Sequence, residues 1–277
     1  MTTYLKTKDH FFSKEAFDLL YDSRLDMLVT EPMPENLANY YHSESYISHS
    51  DQSKNLIDTL YLLVKKFSLR RKLALLNSFK LNNKSLLDIG AGTGDFLLAA
   101  KKQDYLITGV EPNTFARENA RAKGINLSGS LKQLNNQQYD VITLWHVLEH
   151  LPDLQEQLKL ITALLSENGV LIIAVPNFKS YDAQHYKEHW AAYDVPRHLW
   201  HFSKTSIIKL FKPYGLDIKR IKPMWFDSFY VSLLSEKYKN KRNNYLRAFY
   251  HGLVSNMKGL SSKEYSSHIY ILKRSNT

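Results

Sequence analysis

The stretch LLDIGAGTGDF, Leu86 to Phe96, places an acid, Asp88, two residues before three glycines at alternate positions, Gly90, Gly92 and Gly94. Glycines there remove side chains, so the backbone can approach a ligand. Asp88 can hold the loop or accept hydrogen bonds from a cationic group. A dinucleotide loop reads G-x-G-x-x-G, and counted from Gly90 its third glycine would fall on Asp95. An acid at a helix start also opposes a pyrophosphate, which helix N-termini otherwise attract. No Gly-Lys-Ser/Thr follows, so the Walker phosphate loop fails too. A second acid, Glu111 in GVEP, closes the next apolar run, where a carboxylate can accept both hydroxyls of a ribose. The set suits a nucleoside that carries a positive group and no phosphate. S-adenosylmethionine, with its sulfonium, ammonium and carboxylate, is such a ligand.

Proton transfer needs a different group of residues. His146, His150, His198 and His201, with Glu149 beside them, are the candidates. His146 follows its strand most directly and ranks first as a catalytic base. Glu149 and His150 are adjacent, so they cannot share one helix face.

These residues must be positioned by the alternation around them. SLLDIG reads as a buried strand, DFLLAAKKQ as a helix and LITGVEP as a strand. TFARENARAKG is a helix stopped by Gly124, and YDVITLWHVLEHL begins as a strand. LQEQLKLITALLSENG is expected to be a helix ending at Gly169, followed by the strand VLIIAVPN. Strands alternating with helices imply a parallel sheet covered on both faces. KTSIIKLFKPYG is a helix with Thr205 and Ser206 near its start. LDIKRIKP and SSHIYILKR are strands that can pair antiparallel at the sheet edge. Upstream, LIDTLYLLVKKFSLRRKLALLNSF, residues 56–79, reads as one or two amphipathic helices. EAFDLLY and LDMLVTEP read as short strands, or one strand and a turn. The expected organisation is an N-terminal strand and loop segment over 1–50, a helical lead-in over 51–83, and a main domain over 84–277. A helical insertion at about 225–262 interrupts that domain before the last strand.

LLDIGAGTGDF, GVEP and YDVITLWHVLEHLPD, in this order, resemble the class I S-adenosylmethionine-dependent methyltransferases, close to the group that includes ubiquinone-pathway O-methyltransferases. The similarity covers roughly residues 84–220. It implies an α/β, Rossmann-like fold: a seven-stranded, mostly parallel sheet with an antiparallel C-terminal hairpin. It implies S-adenosylmethionine as cofactor and S-adenosylhomocysteine as product. By this resemblance Asp88, Gly90, Ala91 and Gly92 line the methionine part, Glu111 takes the ribose, and Pro112 and Asn113 flank the adenine. In GSLKQL, Ser130 and Leu131 fall where the family contacts adenine, although the acid that members often carry there is missing. Trp145 and His146 would sit under the cofactor. YYHSESYISHS, Tyr40 to Ser50, resembles a bacterial subgroup in which a cysteine-bearing zinc ribbon precedes it and the stretch closes over the cofactor. Tyr41, Tyr46 and His49 are its candidates for that role. The chain has no cysteine, so any ribbon here is metal-free, and no metal-ligand set is read from the sequence. YDVPRHLWHFS, Tyr193 to Ser203, resembles a stretch over the acceptor side. There Arg197 and His198 are candidates to hold an anionic acceptor and Trp200 to wall an apolar one, or the residues fix the loop.

Composition narrows the partners. The 277 residues, 44% hydrophobic, can bury a full core. The formal charge of +10 is partly concentrated in SEKYKNKRNNYLR, Ser235 to Arg247, and in RRK, Arg70 to Lys72, neither with a nucleic-acid-binding motif. No signal peptide or membrane span is read, so a cytoplasmic protein is expected. The expected partner is a small-molecule acceptor, lipophilic or a hydroxyl or phenol, with no sequence-specific nucleic acid. A monomer or homodimer is expected. The apolar start of the insertion beside its basic continuation, 225–247, is a lid, a dimer interface or a peripheral membrane contact. The alternatives are a methyltransferase of RNA or protein, and a non-catalytic S-adenosylmethionine-binding regulator. The Asn/Asp-Pro-Pro-Tyr/Phe motif of nucleobase amino methylation is missing, since LWHVLEH stands in its place.

Overall fold

The structure, a computed structural model, describes residues 1–41, 56–81, 83–134, 137–242 and 244–275. The main sheet is built from β4 (Ser85–Ile89), β5 (Leu106–Val110), β6 (Tyr139–Trp145), β7 (Leu165–Pro176), β9 (Leu216–Pro223) and β10 (Ser267–Arg274). Their order is β5-β4-β6-β7-β10-β9. The first four run parallel, while β10 is antiparallel to both β7 and β9. The central strands are largely apolar and buried in their middle because helices cover both faces: Val141, Ile142 and Leu144 on β6, and Val170 to Val175 on β7, are buried. Each such Val, Leu or Ile contributes roughly 1.5–3 kcal/mol of burial.

Seven strands were expected, and among the described residues the main sheet has six. The segment after Gly124 touches the edge only through one parallel bridge, Val110 to Ser128. Ser128 donates its N–H to Gly109 and accepts from Glu111 N–H, both at 2.9 Å. Its backbone is satisfied there, but the run turns away too soon to form a strand. The expected helix ending at Gly169 is also shorter. It covers Leu154–Ala163, and β7 begins at Leu165, so Ser166 to Gly169 belong to the strand.

The lead-in is one helix, α1 (Leu56–Asn77). Helices α2 (Asp95–Lys101) and α3 (Thr114–Ala122) are the crossovers on either side of β5. Asn113 caps α3 by accepting the Ala116 N–H at 2.9 Å, and Gly124, with φ of 78°, ends that segment. The helix over Leu154–Ala163 is α4, followed by α5 (Tyr181–Tyr186) and α6 (Lys204–Phe211). The insertion is a helical hairpin, α7 (Asp227–Asn240) and α8 (Tyr245–Ser262).

A second sheet has the order β1-β2-β3-β8, from β1 (Thr2–Lys8), β2 (Ala16–Asp22), β3 (Met27–Glu31) and β8 (Trp200–His201). The N-terminal strands are thereby sewn to the stretch beyond β7. Thr30 Oγ1 donates to the His198 carbonyl at 2.6 Å and lies 3.0 Å from His201 Nε2. No helix among the described residues is long and apolar enough to cross a membrane.

Candidate active site

Strand order reverses direction between β4 and β6, with β5 on one side and β6 on the other. Ligands of open α/β sheets bind at the carboxyl ends of the strands beside such a switch. Asp88, Glu111, Trp145 and His146 all stand at that edge.

The glycine loop is held tightly. Gly90 and Ala91 both donate to the Val110 carbonyl, at 2.8 and 3.0 Å, which ties the loop to β5. Gly90 has φ of 71°, and a Cβ there would lie 2.3 Å from Val147 Cγ2. Both conformation and space therefore require glycine. At Gly92 the direction a Cβ would take is open, with nothing within 4 Å. Glu111 faces this loop: its Oε2 accepts the Gly92 N–H and its Oε1 the Asn113 N–H, both at 2.9 Å. A carboxylate has about four acceptor positions, so two remain for hydroxyl donors. Arg117 braces the turn by donating to the carbonyls of Glu111 and Pro112, at 2.8 and 2.7 Å.

Asp88 is buried and accepts the Thr143 hydroxyl at 2.6 Å. Burial raises its pKa to about 7, against the opposing Thr143 bond and the Lys72 charge. Lys72 comes from α1, a residue whose role sequence reasoning missed. Its ammonium lies 4.4 Å from the centre of the Trp145 ring and 5.8 Å from that of Phe96. Burial lowers its pKa, with the charges of Asp88 and Asp227 working the other way. The site thus already stacks a cation on an indole beside a carboxylate. Trp145 Nε1 is a buried donor without a hydrogen-bond partner among the described residues.

His146 does not fit the role of base. Its backbone has φ of 56°, its Nε2 lies 3.1 Å from Asp227 Oδ2 and its Nδ1 3.3 Å from Glu149 Oε1. Burial would lower its pKa, but the two carboxylates outweigh it and raise it to about 10. Near neutrality His146 is an imidazolium and has no lone pair to accept a proton. Asp227, from the first turn of α7, was legible only as part of an apolar helix start.

The remaining candidates separate. Arg197 is 1% exposed and donates to Asp9 at 2.9 Å and to Asp194 at 2.7 Å. Its guanidinium is committed within the protein, so it does not hold an acceptor. Burial pushes the Asp9 carboxyl up, but Arg197 and two backbone N–H groups hold it at about 2. Trp200 donates to the Leu151 carbonyl at 2.8 Å as part of β8, and so fixes the loop rather than walling an acceptor. His198 is buried with Nδ1 2.9 Å from the Ala192 carbonyl, and burial and His150 lower its pKa well below the usual range. It is an internal neutral group and not an anion receptor. Tyr41 Oη lies 2.9 Å from His150 Nδ1, which is 3.0 Å from the Arg197 carbonyl. Tyr41 thus meets the His150–Arg197 cluster. Pro112 and Asn113 are exposed at the loop beyond β5. Leu131 is buried in the core and Ser130 beside it is half-buried. Tyr46 and His49 lie outside the described residues.

Among the described residues, two side-chain groups are close enough to share a cation: Glu149, His150 and His198, and separately His185, Glu236 and His251. Glu149, His150 and His198 were grouped from the sequence as proton-transfer candidates and not as cation ligands, while His185, Glu236 and His251 come from three separate helices.

An open cleft of about 520 Å³ lies between α1 and the start of α7, lined by Val64, Lys66, Phe67, Arg70 and Phe226. Phe226, on this cleft, directly precedes Asp227, whose Oδ2 lies 3.1 Å from His146 Nε2.

Comparison with known proteins agrees with this architecture. Residues 31–220 match the family described as Methyltransferase domain. A ubiquinone biosynthesis O-methyltransferase of Coxiella burnetii is 30% identical over 112 residues, 36% of this chain and 48% of that protein. One of Histophilus somni is 33% identical over 111 residues, covering 35% and 47%. The chain therefore spans about half the length of these curated relatives. Among solved structures, magnesium protoporphyrin IX methyltransferase from Synechocystis PCC 6803 with bound SAH superposes with a TM-score of 0.54. That match has 16% identity and covers 86% of this chain and 97% of the other. A SAM-dependent methyltransferase from Archaeoglobus fulgidus gives a TM-score of 0.52 at 19% identity, covering 76% and 93%. At such identities the superpositions show a shared fold.

Proposed function

Because the chain belongs to the methyltransferase-domain family, we propose that it is an enzyme that uses S-adenosylmethionine to methylate a small-molecule acceptor. The observation that carries this reading is the pairing of Asp88 and Glu111. They stand at the ends of the adjacent strands β4 and β5, with the Gly90–Gly94 loop open between them. The residues fit the cofactor in chemistry as well as in place. Glu111 keeps acceptor positions for two ribose hydroxyls, Asp88 offers a carboxylate to a cation, and the orphaned Trp145 Nε1 offers a donor to a carboxylate.

When bound, S-adenosylmethionine supplies a methyl carbon activated by its sulfonium. The chain's task is alignment and exclusion of water. The rigid loop, clamped by Val110 and Glu111, fixes the position of the donor. The Trp145 face, which Lys72 overlies at 4.4 Å, and the neighbouring Asp88 carboxylate would suit the cationic part of the cofactor. His146, charged and oriented by Glu149 and Asp227, serves as a hydrogen-bond donor toward the acceptor when Asp227 releases Nε2. An acceptor with an acidic hydroxyl suits such a cation, because it arrives already ionised. The cleft between Phe67 and Phe226, with Lys66 and Arg70 at its rim, favours an apolar acceptor that bears negative charge.

Calorimetry with S-adenosylmethionine, S-adenosylhomocysteine and NAD tests the reading. Binding of the first two at micromolar concentration is expected. Tight binding of NAD with no response to S-adenosylmethionine would overturn it.

A further inference from the structure

Helix α8 is packed inside out. Its buried side carries small or polar residues: Ala248, His251, Gly252, Ser255, Asn256 and Gly259. Close neighbours require this. A Cβ on Gly252 would lie 2.9 Å from the Phe229 backbone, and one on Gly259 2.6 Å from the Tyr265 ring. Polar contacts complete the seat, as Ser255 Oγ donates to Asp182 at 2.6 Å and Asn256 Nδ2 to the Trp225 carbonyl at 2.9 Å. The large apolar residues point outward instead. Leu246 is 85% exposed and Phe249 62%, and Tyr250, Leu253, Met257 and Leu260 are exposed with them. At 3.6 residues per turn these six fall within an arc of about 100° on one face. A surface helix that serves only its own domain has the opposite pattern. A continuous exposed apolar face marks a contact with something else.

The charge around this face identifies the partner. From residue 237 to 263 the chain carries Lys237, Lys239, Lys241, Arg242, Arg247, Lys258 and Lys263, and no Asp or Glu. Lys241 and Arg242 are exposed at the hairpin turn, and Arg247 and Lys258 lie along one margin of the apolar arc. A two-fold contact between copies would set this cationic surface against itself, which is unfavourable. An anionic lipid surface satisfies both features, since its headgroups take the lysines and arginines and its acyl boundary takes the apolar face. From the exposed α8 face and its acid-free basic border, we propose that this hairpin seats the protein peripherally on anionic membranes. The proposal does not depend on the methyl-transfer reading. Phe226, which leads into the same hairpin, lines the cleft.

Co-sedimentation with vesicles tests it. The full chain is expected to pellet with phosphatidylcholine containing about one third phosphatidylglycerol, and to stay in solution with phosphatidylcholine alone. High salt should release it. A triple variant, Phe249→Ser with Leu253→Ser and Met257→Ser, should partition about tenfold less while melting within a few degrees of the parent. Replacing Lys237, Lys239 and Lys241 by Gln should weaken binding to anionic vesicles alone. Failure to pellet at low salt overturns the proposal, as does unchanged partitioning of the triple variant. A parent dimer that the triple variant converts to a monomer, without vesicle binding, assigns the face to self-association instead.

Discussion

Asp227 Oδ2 lies 3.1 Å from His146 Nε2, so the first turn of the insertion is latched to the end of β6. With Glu149 3.3 Å from the other nitrogen, the ring stands between two carboxylates and is raised to about 10. Replacing Asp227 by Asn removes one of them and should lower the His146 pKa by about one unit or more. Imidazole titration by NMR reads this directly. A folded-state pKa above the unfolded value means the ion pair stabilises fully below about pH 6.5 and is lost as pH rises through about 10. The stability deficit of D227N should therefore be largest in mild acid and vanish at high pH.

Asp88 should set the pH dependence of cofactor binding. Burial holds its pKa at about 7, so the cofactor-free chain becomes fully anionic there only above neutrality. Affinity for S-adenosylmethionine should rise with pH through about 7, and calorimetry across that range measures it. An acid raised by burial also makes the cofactor-free fold bind its proton more tightly. Its contribution to stability is present below about pH 4 and falls as pH rises to about 7. Replacing Asp88 by Asn should weaken binding by about a hundredfold, the scale of a lost charge-assisted contact in a buried site.

Lys72 tests whether α1 belongs to the site. Its charge lowers the Asp88 pKa, so Lys72→Met should move the midpoint of the binding profile to higher pH. The same variant should leave the melting temperature nearly unchanged, because burial already weakens this ammonium. A profile that stays in place would separate Lys72 from the cofactor pocket.

Arg197 should behave as a structural residue. Arg197→Ala strands Asp9 and Asp194 and should cost about 3–5 kcal/mol in denaturant unfolding. Cofactor affinity of the folded fraction should change by less than about twofold, within the reach of small indirect effects. Asp9, held at about 2, contributes stability above its unfolded pKa that is lost as pH falls from about 4 through about 2. The variant and its parent should therefore converge in stability in strong acid.

What could be read without coordinates was local. Asp88, Gly90, Gly92 and Glu111 lie at the ends of short apolar strands, and strand, turn and helix start are encoded within a few residues of each. The parallel alternation, the β9–β10 hairpin and the helical insertion were legible for the same reason. The seventh strand was not. The count of seven came from the resemblance and not from a strand read in the residues, and in the stretch after Gly124 only Ser128 bridges to the sheet edge.

The sequence by itself determined the glycine loop and the order of the elements, because both follow from spacing over short stretches of chain. Tertiary structure alone decided the protonation and partners of the candidate residues. Arg197 looked like an anion receptor until Asp9, 188 positions away, was found on its guanidinium. His146 looked like a base until α7 set Asp227 against it. Charge and burial are properties of surroundings, and those surroundings are assembled from segments distant in sequence. The outward face of α8 is the same lesson on the surface. Its residues are typical of a core, and only the fold shows that the core side of that helix is already filled.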